Sequence, residues 1–253
     1  MFYNLDNEIA KRSTKNVYRD NDNTIKLFVE NYSKASILNE ALNQARVEEG
    51  TDLNIGKLKE ITKIDNRWAL VSEYVEGTSL QELMNKNPEK MDEYLELLVK
   101  IQLEVLSKHV PLLNPMKEKF KRKINNSPLI SDNTKYELLQ RLAGMKDHTK
   151  LCHGDFEPGN IIIKDDGSYC IIDWAHVTGG NASADAARTF LIFSLQGKKE
   201  LAEKYLDLFA LKSNILKSNI QLWIPIVAAV QLIKEKPEEQ EILKQWIDIK
   251  NYE

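Results

Sequence analysis

Over residues 1–75 the apolar positions fall in short runs that polar turns divide, with one longer period among them. Val17-Tyr18-Arg19 and Thr24-Ile25-Lys26-Leu27-Phe28 flank the polar tetrad Asp20-Asn21-Asp22-Asn23, which predicts a hairpin. Across residues 34–49, Ile37, Leu38, Ala41, Leu42 and Ala45 recur at helical spacing and predict an amphipathic helix that stops at Gly50. Leu58 to Ile64 and Trp68 to Glu73 predict a second hairpin across Asp65-Asn66, and Glu76-Gly77 breaks the pattern as a hinge.

From Ser79 the period lengthens. Asn87-Pro88 predicts the start of a long helix, with Asn as cap and Pro first. Its stripe of Met91, Tyr94, Leu95, Leu98, Ile101 and Val105 belongs in a core. Ser131 caps a further helix through Tyr136, Leu139 and Leu142. One hairpin interrupts the helices: Ile161 to Lys164, a turn over 165–168, then Tyr169 to Asp173. After Asn181 the chain reads as helix, with Leu201, Tyr205 and Leu208 on one face and a kink at Pro225. The expectation is an α+β protein of two lobes with a cleft between them. Residues 1–75 form a small antiparallel sheet with one helix, and residues 76–253 form a larger, mainly helical lobe.

Charge and composition narrow the class. Across 253 residues, 35 Lys+Arg stand against 38 Asp+Glu, a net charge of -3, so nothing marks a nucleic-acid or membrane-surface protein. The basic run Lys117 to Lys123 alternates with Met116, Phe120 and Ile124 at helical spacing and reads as a solvated helix face. Cys152 and Cys170 are the only two cysteines and read as buried thiols in a reducing compartment. The first residues lack a basic segment followed by an apolar core, and Ile220 to Ile233 is too short to span a bilayer. A cytoplasmic protein is expected.

The chemistry concentrates in Leu151-Cys-His-Gly-Asp-Phe-Glu-Pro-Gly-Asn160 and Tyr169-Cys-Ile-Ile-Asp-Trp174. Asp155 and Asn160 share a tight loop, and Asp173 ends an apolar run after a turn. Phosphoryl transfer needs this set: one carboxylate for the attacking hydroxyl, and two oxygen ligands for Mg²⁺ on nucleotide phosphates. Asp155 is the candidate base; Asn160 and Asp173 are the candidate metal ligands. Glu157 has two readings, an acceptor contact through a charge-assisted hydrogen bond or a solvent-facing loop acid.

His153-Gly154-Asp155 with Asn160, followed by Ile172-Asp173-Trp174, resembles the aminoglycoside phosphotransferase/choline kinase family, small-molecule kinases of protein-kinase-like fold. The resemblance implies ATP or GTP and Mg²⁺ as cofactors, and a small-molecule hydroxyl as acceptor. It implies that Lys26 holds the α- and β-phosphates, with Glu40 as its ion-pair partner and Glu48 as the other candidate. Arg12-Ser13-Thr14-Lys15-Asn16 occupies the place of the phosphate-covering loop but lacks glycine, so the Ser13 and Thr14 hydroxyls stand in for backbone contacts. Glu73 and Val75 fall where adenine meets main chain. His153 holds the loop by hydrogen bonds, and Asp185 braces it.

A metabolite acceptor such as an amino alcohol, a sugar or a vitamin is favoured over an aminoglycoside-type antibiotic. The dense acidic cluster from Glu235 to Glu241 is not placed by sequence. Two alternatives stand beside the kinase: a catalytically silent nucleotide-binding module, and a metal-dependent hydrolase built on His153-x-Asp155 and Asp173-x-x-His176.

Overall fold

The computed structural model describes residues 3–233 and 236–247. From the N-terminus the chain forms β1 (Glu8–Lys11), β2 (Lys15–Asp20), β3 (Asn23–Phe28), α1 (Lys34–Gly50), β4 (Leu58–Ile64), β5 (Arg67–Glu73), β6 (Thr78–Ser79) and α2 (Leu80–Lys86). Next come α3 (Met91–Ser107), α4 (Met116–Asn126), α5 (Asp132–Gly144), β7 (Lys150–Cys152), β8 (Ile161–Ile163), β9 (Tyr169–Ile171) and β10 (Thr178–Gly180). Helices finish the chain: α6 (Ala182–Leu195), α7 (Lys199–Ser213), α8 (Lys217–Gln221), α9 (Ile224–Leu232) and α10 (Pro237–Ile247). An antiparallel sheet near the N-terminus and a helical remainder make this the expected α+β fold.

The elements gather into two compact units, Met1–Asn87 with Pro158–His176, and Pro88–Glu157 with Val177–Glu253. The first unit therefore runs past residue 75 and takes in a later segment. The reason is strand pairing: β8 lies between β6 and β9, with Thr78 opposite Ile163. Gly77 makes this junction possible. Its φ is +143°, and a Cβ there would come within 2.4 Å of the Ile163 carbonyl oxygen.

In the first unit five antiparallel strands run in the order β1-β2-β3-β5-β4. The β4–β5 turn needs left-handed backbone at both central residues, and Asp65 (φ 49°) and Asn66 (φ 62°) are among the few non-glycine residues that tolerate it. One sheet face packs Ile25, Leu27, Ala69 and Val71; the other sets Phe28 and Leu70 against Ile37 and Ala41 of α1. Each such fully buried aliphatic side chain contributes about 1.5–3 kcal/mol. The rotation of α1 departs from expectation. Leu38 and Leu42 are exposed, whereas Glu40, Asn43 and Gln44 are buried. Those polar groups have inward partners: Gln44 donates to the Gly56 carbonyl and Asn43 to the Ala175 carbonyl.

Asn87 caps the end of α2 instead of the start of α3. Its amide and its backbone N–H both donate to the Leu83 carbonyl, and Pro88 opens a short 3-10 turn before α3.

In the second unit, α3 buries Leu95, Leu98, Ile101, Val105 and also Gln102. Ser131 accepts from the Thr134 N–H, as an N-cap does. Pro225 begins α9 instead of kinking a longer helix, because its missing N–H costs nothing in a first turn. On α7 the inward residues are Ala202, Tyr205, Leu206 and Phe209, so Tyr205 is buried as expected while Leu201 and Leu208 stand at the margin of that face. β7 and β10 pair antiparallel. Both cysteines are free and buried, and burial pushes the Cys170 thiol up to about 11. Among the described residues no single helix is long and apolar enough to cross a membrane.

Candidate functional site

The first unit holds a cavity of about 280 Å³, lined by Lys15, Lys26, Asn160 and Asp173 among others. Lys26 sits on β3, the middle strand, between Val17 and Leu70. Its Nζ donates to Glu40 Oε1 and to Asp173 Oδ1, each at 2.8 Å. Lys15 joins them, 3.5 Å from Glu40 and 3.7 Å from Asp173. Burial alone would push the Lys26 ammonium down, but Asp173 and Glu40 outweigh it and hold it above the ordinary lysine range. Burial likewise works to raise Asp173, and Lys26 and Lys15 reverse this, holding the carboxyl well below the usual range. Lys15 is lowered, by burial first and by repulsion from Lys26 second.

β9 ends at Ile171, so Asp173 lies beyond the strand and not at its last position. Its φ is 63°, a left-handed conformation that costs on the order of 1–3 kcal/mol in a non-glycine residue. Neighbouring bonds hold it there. Ile172 donates to the Asn160 carbonyl at 2.9 Å, and the buried Trp174 donates its indole N–H to the Ile171 carbonyl at 3.1 Å. The metal-ligand candidates Asn160 and Asp173 thus line one cavity. A carboxylate and an amide oxygen fit a hard cation that keeps water and phosphate as its other ligands. Among the described residues no three His, Cys, Asp or Glu side chains form a group that could hold a metal ion.

Glu73 and Val75 line the same cavity. Glu48 is engaged elsewhere, accepting from the Leu58 N–H at 3.0 Å, so Glu40 is the partner of Lys26. The glycine-free segment is the turn between β1 and β2, closed by Arg12 N–H on the Lys15 carbonyl. Ser13 and Thr14 are exposed at its tip; Arg12 and Lys15, not those hydroxyls, contribute to the cavity wall.

In the second unit, Asp155 follows Gly154, whose φ of 79° turns the chain after β7. The buried Asp185 carboxylate, on α6, accepts from the Gly154 N–H at 2.8 Å and from Gln102 at 3.0 Å. Burial raises the Asp185 carboxyl, against those same hydrogen bonds. Thr189 donates to the Phe156 carbonyl at 2.7 Å, so α6 holds the loop at two points. His153 is fully buried with its ring edge-on to Phe156, and its Nδ1 accepts from the Asp155 N–H at 3.3 Å. That bond places the proton of a neutral ring on Nε2.

Arg188 approaches Asp155 directly, Nη2 to Oδ1 at 2.7 Å, with both side chains mostly buried. A second cavity, about 180 Å³, is lined by Asp155, Glu157, Arg188, Gln231, Lys236 and Glu239 among others. Part of the acidic cluster near residue 240 is therefore placed here; Glu235 lies outside the described residues. Sequence reasoning missed Lys15, Arg188 and Gln231. Lys15 lay inside the segment already singled out, and Arg188 is one turn after Asp185, the spacing that puts two side chains on one helix face. Gln231 carried no signal.

A sequence model of the phosphotransferase enzyme family (APH) matches residues 62–213. No curated protein sequence matches the chain. Among solved structures, a thermostable mutant of the aminoglycoside phosphotransferase APH(4)-Ia superposes with a TM-score of 0.72 at 12% identity, covering 95% of this chain and 92% of its own. An aminoglycoside-3'-phosphotransferase of type VIII gives 0.64 at 13% identity, covering 90% and 93%. The aminoglycoside phosphotransferase APH(2'')-Ib gives 0.61 at 16% identity, covering 97% and 93%. These likenesses show the fold, and the family match spans more than half of the sequence. The chain belongs to the phosphotransferase enzyme family and is an enzyme of the kinase class, with an alcohol group as acceptor.

Proposed function

We propose that this protein transfers the γ-phosphoryl group of ATP, together with Mg²⁺, to a hydroxyl of a small metabolite in the cytoplasm. The observation that carries the reading is the Lys26–Glu40–Asp173 cluster on the wall of a cavity that Asn160 also lines. The first unit is the nucleotide-binding part and the second carries the base, a division of labour that follows from which residues each contains. The solved structures of APH(2'')-Ib with ADP and of an APH(4)-Ia mutant with AMP-PNP and hygromycin B support nucleotide use by this fold.

Lys26 keeps its charge at any physiological pH. On nucleotide binding it exchanges Asp173 for a phosphate oxygen while Glu40 continues to hold it. Lys15 supplies a second positive group beside it. Both lysines meet Asp173 through Oδ1, which leaves Oδ2, with the Asn160 amide oxygen, to hold the ion. When bound, Mg²⁺ offsets charge on the β- and γ-phosphates. Glu73 and Val75 present main-chain groups to the base.

Asp155 aligns the acceptor hydroxyl and takes its proton late, when the new bond to phosphorus has largely formed. An ordinary carboxylate is too weak a base to remove that proton beforehand. Arg188 fixes the carboxylate's direction through Oδ1. Asp185, His153 and Thr189 hold the loop that carries it.

Thermal melting with ATP, GTP and ADP, with and without Mg²⁺, tests the nucleotide site, because a ligand of the folded state raises the melting temperature by mass action. A Mg²⁺-dependent rise is expected. No rise with any nucleotide would refute the reading. Nucleotide binding without ATP consumption, over a broad panel of amino alcohols, sugars, vitamins and aminoglycosides, would make the protein a silent binding module.

A further inference from the structure

Two residues that line the cavity beside Asp155 carry buried polar atoms with no hydrogen-bond partner among the described residues. The cavity's volume of about 180 Å³ lies below the roughly 300–1,000 Å³ of sites for drug-sized ligands. Arg188 commits Nη2 to Asp155, while its buried Nη1 has no partner. Gln231, 4% exposed, donates Nε2 to Glu239 and leaves its buried Oε1 without a donor. A carboxylate can only accept, so that bond fixes which way the amide points, and Oε1 is the atom left over. Buried polar atoms are nearly always paired, and a ligand is one way to complete a pair. The wall also carries both signs of charge. Lys236 lies 2.7 Å from Glu239, and Glu157 faces the same space as Arg188.

Resting on the phosphotransferase reading above, we propose that this cavity takes a small zwitterionic hydroxy compound, a hydroxy amino acid, as the phosphoryl acceptor. Its carboxylate receives a hydrogen bond from Arg188 Nη1, its ammonium donates to Gln231 Oε1, and its hydroxyl meets Asp155. A multi-ring polycation finds too little room and two resident cations. In the transfer, the bond from the γ-phosphorus to the ADP oxygen breaks. A bond from that phosphorus to the acceptor oxygen forms, and the hydroxyl proton passes to Asp155.

The test uses the full chain, with calorimetric binding and ATP-coupled turnover measured in parallel. The ligands are a length series of L-serine, L-homoserine and 5-hydroxy-L-norvaline. Matched analogues are 3-aminopropan-1-ol, which lacks the carboxylate, and 4-hydroxybutanoate, which lacks the ammonium. Glycerol and kanamycin complete the panel. At least one amino acid of the series binds and is phosphorylated, and removal of either charged group weakens binding by about tenfold or more. Gln231→Leu raises the KM for that amino acid by about tenfold or more and leaves the KM for ATP within about twofold. Should Gln231→Leu fail to fold, Gln231→Met, which keeps the side-chain volume, is read the same way. Turnover of kanamycin or glycerol, with no binding by the series, overturns this inference and leaves the kinase reading standing. Failure of the whole series to bind overturns it too, as does amino acid binding that Gln231→Leu leaves unchanged. Binding that depends on Gln231 but leads to no phosphoryl transfer supports the cavity assignment and counts against the kinase reading.

Discussion

Asp173 in the first unit and Asp155 in the second are both gripped by cations, but their surroundings are finished to different degrees. Asp173 shares Lys26 and Lys15 with Glu40, two cations against two anions, each group answering another. Among the described residues, none of the buried polar atoms that lack a partner belongs to a residue lining that cavity. Asp155 meets Arg188, and the cavity around that pair includes two unpartnered atoms, Arg188 Nη1 and Gln231 Oε1. A closed, balanced network suits a part that every catalytic cycle uses in the same way. An open one suits the part that must recognise a particular molecule, since unpaired buried groups reject ligands that cannot complete them.

The largest expected effect separates the two carboxylates by role. Asp155→Ala lowers turnover by about a thousandfold or more, while the Mg-nucleotide melting shift persists. Near-normal turnover would mean that another group takes the proton. Next, Asp173→Ala weakens Mg-nucleotide binding by about a hundredfold or more, at or above the upper end of the effect of outer-sphere partners, measured by titration with a non-hydrolysable analogue. Unchanged affinity would remove Asp173 from the metal site.

Gly77→Ala tests whether the first unit's frame depends on the returning β8. With a left-handed φ and a Cβ driven onto the Ile163 carbonyl, it should lose on the order of 3 kcal/mol in denaturant unfolding. A loss under about 0.5 kcal/mol, ordinary for a surface change, would show that the junction yields.

The smallest effect is one of pH, and it has opposite signs at two carboxylates. Asp173 is held below its unfolded value, so the stability it contributes is present above about pH 3.9 and is lost as pH falls through its folded value. Asp185 is raised by burial, so the folded state binds its proton more tightly. Its cost grows as pH climbs from the unfolded value through the folded one. Urea melts across acidic pH should show the wild-type advantage over Asp173→Asn growing with pH and that over Asp185→Asn shrinking. Parallel slopes would contradict the charge arrangement at one of the sites.

Legibility followed the distance between interacting residues. The Asp65-Asn66 turn and the hairpin around Asp20–Asn23 lie in a few adjacent residues and were readable. Asn87 was placed near the right boundary but on the wrong side of it, because a cap and a start carry nearly the same local letters, and Pro225 was expected to kink a helix where it stands in a first turn. The rotation of α1 was misread for a different reason. Its hydrophobic stripe pointed to Leu38 and Leu42, yet the inward face is polar because Lys26, Gly56 and Ala175 require partners there. Arg188 and Gln231 escaped attention because their meaning depends on Asp155 and Glu239.

The order of residues was enough to dictate three hairpins, most helices, the α+β class and the family, since these rest on periods and motifs within short windows. Which charge meets which depended on packing. Lys26 and Asp173 are 147 positions apart, and at such separation only the assembled sheet and loops bring two side chains within hydrogen-bond reach.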